Sequence, residues 1–268
     1  MTVTVDPPTK LPVSHLSVSS LNLLAKCPLS WRHKYIDRIY EPPSGPMILG
    51  SAAGAAETDH FQAVVDGEEG HTTEEVLDLF SGEWDHRLEK DDVQFGDTKP
   101  GLLKDAGAAA LAAYHKTIAP TVEPVSTERQ FTIEYGLDWK FTGYLDIETV
   151  DGGVRDLKMK GRSMSQAEAD GDVQPSSYLY ARRVEGNPAT GFTFDTMIHG
   201  NKTPIAKTVE TNRTDVQLDA FEDRLFEAAA EIAWRAENDH WSPAPPNVWW
   251  CSQKMCGHWA GCPHGGLR

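Results

Sequence analysis

Hydrophobic residues follow the helical period over most of the first 120 residues, and the period changes to that of strands afterwards. The segments with the helical period are 17–25, 28–38, 48–65, 73–90, 101–118, 173–184 and a long amphipathic helix that includes 218–232. The segments that read as strands are 126–135, 138–150, 153–160, 191–200 and 203–211. Helices before, between and after a group of strands predict an α/β fold.

Charge is distributed unevenly along the 268 residues, whose net charge is −15. The stretch 57–97 holds 14 Asp or Glu against Arg87 and Lys90, a local net charge of −12. This stretch repels phosphates, so a nucleic acid would have to approach from another side. The basic residues expected to contact phosphates are Lys26, Arg32, Lys34, Arg38, Arg182 and Arg183.

The chain shows no pattern of a secreted or membrane protein. Its first fifteen residues, MTVTVDPPTKLPVSH, lack the apolar centre of a signal peptide. No apolar run approaches the roughly 18 residues that a membrane-spanning helix requires. We therefore expect a cytoplasmic protein with no membrane partner and with reduced thiols.

The four cysteines lie at the two ends of the chain. Cys27 is separated by 223 residues from Cys251, which is followed by Cys256 and Cys262. Four thiolates around one centre suit a 4Fe–4S cluster or a structural zinc ion, and unliganded thiols are a third interpretation. The tight C-x-x-C pairs of zinc ribbons are absent, which favours the cluster. In a zinc site, His258 or His264 could replace a cysteine.

The strand–turn–strand segment GYLDIETVDGGVRDLKMK carries the candidate chemistry. Asp156 and Lys158 are two residues apart and share a strand face. A turn at 151–153 would place Asp146 nearly opposite Lys158, with the two carboxylates close together. Paired carboxylates bind Mg²⁺ or Mn²⁺, and the Leu157 carbonyl is a further candidate ligand. The D-x-K pattern alone is also that of a surface hairpin with ordinary ion pairs.

Five stretches carry motifs in a fixed order along residues 17 to 262. They are SVSSLNLLAKCPLSWRHKYIDRI, MILGSAAGAAE, GYLDIE with DLK, Gln174-PSS-Tyr178, and the tail with three cysteines. In this set the chain resembles the RecB-like exonucleases of the PD-(D/E)XK superfamily. It most resembles their iron–sulfur branch, which includes the AddB nuclease domain and the CRISPR-associated protein four family with its phage-encoded relatives.

The resemblance implies a restriction-endonuclease-like fold, a mixed central sheet flanked by helices, and a role for each matched residue. Asp146 and Asp156 would bind Mg²⁺ or Mn²⁺, and Lys158 would be the catalytic lysine. Gln174 and Tyr178 would position the DNA or the lysine. The four residues implied as ligands of a 4Fe–4S cluster are Cys27, Cys251, Cys256 and Cys262.

The resemblance also implies a function. It is that of a metal-dependent DNA exonuclease, cutting from 5′ ends with a preference for single strands, in recombination, repair or spacer processing. Recombination or CRISPR-adaptation proteins would be its protein partners. If the chain is phage-encoded, its location would be the host cytoplasm.

One position departs from the family pattern. A metal-binding histidine often stands four residues after the glycine of the second motif, and counting from Gly50 this position is Gly54. Glu57 lies near the same helix face and could reach a metal through water, whereas His60 lies on another face. This departure supports an alternative function, a catalytically weak DNA-binding or adaptor protein on the same fold.

The predicted domain organisation is a flexible N-terminus at 1–16 and one nuclease domain at 17–268. Within that domain we expect a helical region at 17–120, a catalytic sheet at 121–212, and a long helix with the cysteine tail at 213–268.

Overall fold

The computed structural model describes residues 6–200, 203–263 and 265, and its contacts divide the chain into two compact units. Unit 1 consists of Met1–Glu41, Thr132–Gly143 and Asp215–Arg268, and unit 2 consists of Pro42–Phe131 and Tyr144–Thr214. The sequence predicts one domain from 17 to 268, whereas the observed contacts form two groups. In the part of the chain that the structure describes, no helix has the length and apolarity needed to cross a membrane.

The predicted helices and strands follow in the predicted order, and the structure adds a short strand, His15–Leu16, and a short helix, Gln166–Gly171, which the sequence pattern did not predict. The helices are α1 Val18–Lys26, α2 Pro28–Tyr35, α3 Gly45–Val65, α4 Thr73–Lys90, α5 Pro100–Thr117, α6 Gln166–Gly171, α7 Val173–Val184 and α8 Asp215–Glu237. The strands are β1 His15–Leu16, β2 Pro124–Glu134, β3 Lys140–Thr149, β4 Val154–Lys160, β5 Phe192–Ile198 and β6 Ile205–Thr211.

The sheet of unit 2 is mixed, as predicted. Within unit 2, β3, β4, β5 and β6 lie in that order, and β2 also pairs with β3. β3 and β4 are antiparallel, β4 and β5 are parallel, and β5 and β6 are antiparallel. A parallel pair needs a crossover connection, and α6 and α7 supply it between β4 and β5.

Helix ends follow from capping residues in the sequence. Thr72 and Glu75 form a reciprocal capping box that starts α4, which satisfies two N–H groups at the start of the helix. Ser44 caps α3, and Ser165 forms a capping box with Glu168 at α6. These local signals explain why the predicted start of α4 agrees with the observed one.

The core of unit 2 lies between the helices α3, α4 and α5 and one face of the sheet. Ile147 of β3 and Met197 of β5 belong to this core together with residues of all three helices. The other face of the sheet therefore remains for the side chains that alternate with Ile147, among them Asp146.

Unit 1 has its own aromatic core. The Trp31 side chain of α2 is 0% exposed and stacks on Trp241, with ring centroids 5.3 Å apart. Phe141 of β3 contacts Phe221 of α8, with centroids 5.7 Å apart.

The segment predicted as a flexible N-terminus makes defined contacts where the structure describes it. The Trp139 indole N–H donates to the Pro8 carbonyl at 2.8 Å, and the Asp138 N–H donates to the Thr9 carbonyl at 2.9 Å. β1 then pairs in parallel with the start of β3. Residues 1–5 lie outside the described part of the chain.

A tight helix–helix contact gives a test of this core. A Cβ atom at Gly107 of α5 would collide with the Leu49 side chain of α3, whereas a Cβ at Gly82 of α4 meets no atom within 4 Å. We expect Gly107→Ala to lower the free energy of unfolding by about 1–3 kcal/mol through overpacking. Gly82→Ala should raise it by up to about 1 kcal/mol, because alanine favours the helix.

Urea denaturation of both variants measures these changes. Equal stability of Gly107→Ala and wild type would contradict the close packing of α3 on α5.

Candidate active site

Asp146 and Asp156 lie on neighbouring antiparallel strands with their side chains on the same face of the sheet. β3 and β4 pair at Ile147 and Arg155. Continued by one residue, this register puts Asp146 opposite Asp156, and the prediction that Asp146 lies opposite Lys158 is wrong by two residues. Directly opposite side chains are near neighbours, so the register brings the two carboxylates closer than the sequence suggested.

The Asp146 carboxylate also bonds to the backbone of β4. The Leu157 N–H donates to Asp146 Oδ2 at 3.0 Å. This bond fixes the Asp146 side chain against β4. The proposed role of the Leu157 carbonyl as a metal ligand stays a prediction.

Lys158 lies beside the carboxylate pair on β4. Its Nζ is 3.0 Å from Asp156 Oδ1 and 2.8 Å from Oδ2. Asp156 is 1% exposed, whereas the Lys158 side chain is 33% exposed. The ammonium therefore covers a buried carboxylate and also reaches solvent.

Helix α7 carries two more predicted site residues over the same carboxylate. Asp172 caps the helix by accepting the Gln174 N–H at 2.9 Å. The Gln174 side-chain amide donates to Asp156 Oδ1 and lies 2.9 Å from the Tyr178 hydroxyl. Since Gln174 and Tyr178 are four residues apart, both lie on one helix face. The structure thus brings all five predicted side chains of the site together.

Burial and mutual repulsion set the protonation of the carboxylates. Burial raises the pKa of Asp156 well above its ordinary value, and the nearby Asp146 raises it further. Burial also raises the pKa of Asp146, against the attraction of Lys158. Without a cation the site therefore favours one proton held between the two carboxyl groups.

The other two groups stay protonated. Burial by itself lowers the pKa of Lys158, but Asp156 and Asp146 together outweigh it, so that the net shift is upward. Burial and the same carboxylates raise the pKa of Tyr178. Lys158 is thus a cation and Tyr178 a neutral hydrogen-bond donor at neutral pH.

One oxygen of the site lacks a hydrogen bond. Asp156 Oδ2 is buried and accepts no well-aligned donor, although Lys158 Nζ lies 2.8 Å away. A buried anionic oxygen without a donor suits a cation ligand.

Glu128 of β2 is a site residue that sequence reasoning missed. Its φ is 45°, uncommon for a residue with a side chain. The Thr58 hydroxyl of α3 donates to Glu128 Oε1 at 3.4 Å. Burial and Asp156 raise the pKa of Glu128, and its charge acts on Asp146 and Tyr178. Glu128 is exposed at the residue level, so it lies at the solvent side of the site.

The sequence profile of the PD-(D/E)XK nuclease superfamily matches residues 15–263. The chain belongs to the PD-(D/E)XK nuclease superfamily. This match confirms the superfamily that the motifs indicated. We therefore interpret the carboxylate pair as part of a nuclease active site.

Solved structures support the fold of this superfamily member. A crystal structure of a protein described as "Putative exonuclease" from Eubacterium rectale has a TM-score of 0.59 and 15% identity, and the match covers 89% of this chain and 87% of that chain. The crystal structure of SSO0001 has a TM-score of 0.38 and 12% identity, with 94% and 87% coverage, and is too distant to support an argument. No curated protein matches the chain.

The family histidine position is open in this PD-(D/E)XK protein, and Glu57 does not replace it. A Cβ at Gly54 would meet no atom within 4 Å. Glu57 is fully buried and bonds to His115, with Nδ1 3.2 Å from Oε1. The suggestion that Glu57 reaches the metal is therefore wrong, because its carboxylate is committed to His115. His60 accepts the His71 N–H at 2.9 Å and packs against His115.

Some basic residues predicted to contact DNA are already paired. Arg182 is 5% exposed and forms an ion pair with Glu148, so the prediction that it contacts phosphates is wrong. Arg32 bonds to Asp239 at 2.9 Å and to Asp37 at 3.4 Å, and these bonds weaken its attraction to phosphates.

The four cysteines all belong to unit 1. Cys27 and Cys262 act electrostatically on Cys256, whose pKa burial raises. The Trp250 indole donates to the Lys26 carbonyl at 3.4 Å, which holds the tail against the residue before Cys27. Cys251 is buried, with its thiol 4.0 Å from the Ala244 carbonyl. His264 lies outside the described residues.

The described part of the chain holds no group of three or more His, Cys, Asp or Glu side chains spaced to hold a metal ion. The thiols therefore do not form the compact tetrahedron that zinc requires, with Zn–S of about 2.3 Å. Mg²⁺ needs fewer protein ligands, since one or two carboxylates suffice and water fills the other positions. Asp146 and Asp156 fit that requirement.

The raised carboxyl pKa values predict how the stability of the metal-free protein depends on pH. The pKa of Asp156 lies above that of an unfolded aspartate, about 3.9, so its favourable contribution is complete below that pH. It is lost as pH rises through the folded-state pKa. We expect Asp156→Asn to unfold at a higher temperature than wild type at pH 8, with the difference shrinking toward pH 4.

Asp151 is the matched control. Its pKa is lowered by the Thr149 hydroxyl and the Gly153 N–H, so Asp151→Asn should change the acid side of the curve instead. Thermal melts of wild type and both variants in EDTA, from pH 4 to 9, measure this pH dependence. A parallel pH dependence of Asp156→Asn and wild type would refute the shared proton.

Proposed function

We propose that this protein is a divalent-metal-dependent DNA exonuclease. The observation that carries the proposal is the buried Asp146–Asp156 pair, with the charged Lys158 beside it and an Asp156 oxygen that lacks a donor. Like charges gathered in a buried position destabilise a fold, and a bound cation would compensate them.

The residues of the site would divide the work of phosphodiester hydrolysis. A Mg²⁺ or Mn²⁺ ion held by Asp146, Asp156 and the Leu157 carbonyl would polarise the phosphate and acidify water. Water would add to phosphorus and release a proton to solvent, while the bond to the leaving sugar oxygen breaks and that oxygen takes up a proton from solvent. Lys158 orients that water and stabilises the negative charge on the phosphate. A charged Lys158 cannot accept the proton itself, so orientation is the role its raised pKa favours.

Gln174 and Tyr178 would act through position and hydrogen bonding. The Gln174 amide holds one oxygen of Asp156, which leaves the other oxygen for the cation. The Tyr178 hydroxyl accepts a hydrogen bond from the Gln174 amide, and its own proton remains available to a phosphate oxygen, because the phenol stays protonated. Glu128, at the solvent side, adds a third carboxylate that could hold a water of the metal shell.

The finer assignment is to the RecB-like iron–sulfur branch. Cutting from DNA ends, with single-stranded 5′ ends preferred, follows from that resemblance. The name of the Eubacterium rectale structure belongs to that protein, and it agrees with an exonuclease here. Recombination, repair or spacer processing would be the process, with proteins of those pathways as partners.

We also propose that Cys27, Cys251, Cys256 and Cys262 hold a 4Fe–4S cluster. The contact of the tail with Lys26 supports it, and Cys27 and Cys262 act electrostatically on Cys256. The role of the cluster would be to join the two ends of unit 1.

A second candidate function is a catalytically weak DNA-binding or adaptor protein on the same fold. Gly54 favours it, because nothing fills the space where the family histidine would stand. The two candidates differ in whether DNA is cut when metal is supplied.

Substitution of the site residues tests the catalytic proposal. We expect Asp146→Ala and Asp156→Ala to lower Mn²⁺-dependent degradation of end-labelled single- and double-stranded DNA by at least about 10²-fold and to abolish Mn²⁺ binding in calorimetry. Lys158→Ala should lower the cleavage rate by a similar factor but still bind Mn²⁺, because Lys158 is not a metal ligand.

Asp151→Ala, in an exposed turn of the same hairpin, is the control and should degrade DNA like wild type. If wild type binds DNA but cuts nothing with either metal, the adaptor function is correct. If Asp156→Ala cuts like wild type, the site is elsewhere.

Anaerobic purification tests the cluster. The protein should be brown with a broad thiolate-to-iron charge-transfer absorption, and iron and sulfide should each be present at four per chain. Any single Cys→Ala variant should lose iron and stability, since metal binding and folding are linked.

Ser252→Ala, next to Cys251, is the matched control and should keep iron. A colourless protein with one tightly bound zinc ion would replace the cluster by a zinc site.

A further inference from the structure

A buried group of charged residues lies beside the candidate active site and has no part in the chemistry proposed above. Glu148 of β3 and Arg182 of α7 are each 5% exposed and form an ion pair. Arg129 of β2 also donates to Glu148, with its Nη2 at 3.2 Å from Oε1. The Ser126 hydroxyl donates to Glu148 Oε2 at 2.6 Å. The Glu148 carboxylate is thus held by donors from both neighbouring elements.

The same group of charges also fixes the end of α7. Arg182 Nε donates to the Asn187 carbonyl at 2.8 Å, beyond the last turn of the helix. Arg129 bridges to Glu185, the C-terminal cap of α7, at 3.0 and 2.9 Å. Arg129 therefore ties the end of α7 to the strand β2.

Glu148 and Arg182 lie on β3 and α7, the strand and the helix that also carry active-site residues, and each follows an active-site residue on the same element. Glu148 follows Asp146 by two residues on β3, about 7 Å along the strand and on the same face. Arg182 follows Tyr178 by four residues on α7, about 6 Å along the helix and on the same side. Arg182 also follows Gln174 by eight residues, about 12 Å along the helix, so the ion pair and the contact of Gln174 with Asp156 are two separate fixed points between α7 and the sheet.

Stability alone is a weak reason for this arrangement. The free energy that a buried ion pair gains from attraction is largely offset by the cost of desolvating both charges. Apolar residues of similar size in its place often leave the protein equally stable or more stable. A cavity of about 530 Å³ adjoins the group and is lined by Ser126, Arg129, Glu148, Arg182, Glu185 and Asn187. The charges are therefore held by directed hydrogen bonds, with no close packing on that side. The best-supported use of buried charge is to fix the register of packed elements.

We propose that Glu148 and Arg182 are positioning residues, whose buried ion pair fixes the register of α7 on the sheet and so holds Gln174 and Tyr178 over Asp156. This proposal rests on the proposed function for its catalytic consequence. Its structural part, the position of Gln174, is independent of activity.

The test replaces the ion pair by apolar residues. The double variant Glu148→Leu with Arg182→Leu should keep a melting temperature close to wild type, because apolar replacement of a buried pair is often neutral. It should bind Mn²⁺ like wild type, since Asp146 and Asp156 remain. We expect kcat to fall by about ten- to a hundredfold with little change in KM, because Gln174 and Tyr178 are misplaced. Arg182→Lys, which keeps a charge for Glu148, should recover part of the rate.

A double-mutant cycle shows whether the pair acts through Gln174. In a Gln174→Ala background, the Leu–Leu variant should cost less activity than it does in wild type, because one of the two residues that the pair positions is already gone. Arg87→Met is the matched control, since Arg87 pairs with Glu83 on the exposed surface of α4 at 3.2 Å. It should leave rate and Mn²⁺ binding unchanged.

Side-chain amide NMR provides the readout that does not need activity. The Gln174 NH₂ signals, assigned by their loss in Gln174→Ala, should be protected from water exchange in wild type and lose protection in the Leu–Leu variant. Unchanged protection in the Leu–Leu variant overturns the proposal, as does full additivity in the cycle. Lost protection in a protein whose wild type cuts no DNA supports the positioning role and refutes the nuclease.

Discussion

The burial of the Asp156 carboxylate is the constraint around which unit 2 is organised. A charge at that depth needs compensation, and the neighbouring elements supply some of it: Lys158 from the same strand and the Gln174 amide from α7. Neither of these satisfies the second oxygen. The fold thus maintains an electrostatic demand that a divalent cation could meet, which is how a stable scaffold can hold a reactive site.

On the opposite face of the sheet lies a second buried carboxylate, and both of its oxygens accept hydrogen bonds. Asp195 of β5 is buried, and it accepts two bonds from Arg155 at 2.8 Å and one from the Tyr114 hydroxyl at 3.2 Å. Those donors satisfy both of its oxygens, so Asp195 has little to offer a cation. The contrast between two buried aspartates on adjacent strands separates a structural carboxylate from a candidate catalytic one by hydrogen bonding alone.

Local signals in the sequence predicted the elements well and the distances between them poorly. α4 and α7 agree with the prediction at both ends, and the N-caps Thr72 and Asp172 explain where each helix starts. The predicted register of β3 and β4 is wrong because Thr149 pairs with Gly153 through a backbone bond of 3.0 Å, so that the turn lies at 150–152 and not at 151–153. Pattern analysis sees residue types, whereas register depends on turn geometry.

Two errors about the site, the omission of Glu128 and the role given to Glu57, come from features that the sequence pattern does not show. Glu128 reaches the site through a positive φ that no residue type announces, and Glu57 is kept from it by His115, 58 positions away in the chain. The α6 helix of six residues is too short for a period to be read. The hydrophobic period does not single out Gln174 and Tyr178. The motif resemblance does, and the structure places Gln174 in contact with both Asp156 and Tyr178.

The division into two units has a consequence for how the chain is made. Both segments of unit 2 lie between Pro42 and Thr214, whereas unit 1 combines Met1–Glu41 and Thr132–Gly143 with Asp215–Arg268. Cys27 therefore leaves the ribosome long before Cys262 is synthesised, a delay of roughly 10–50 s at about 5–20 residues per second. During that interval the first helices, with Trp31, have no partner from the C-terminal segment. Early folding of unit 2, followed by late closure of unit 1 around its own two ends, is the order that this topology imposes on synthesis.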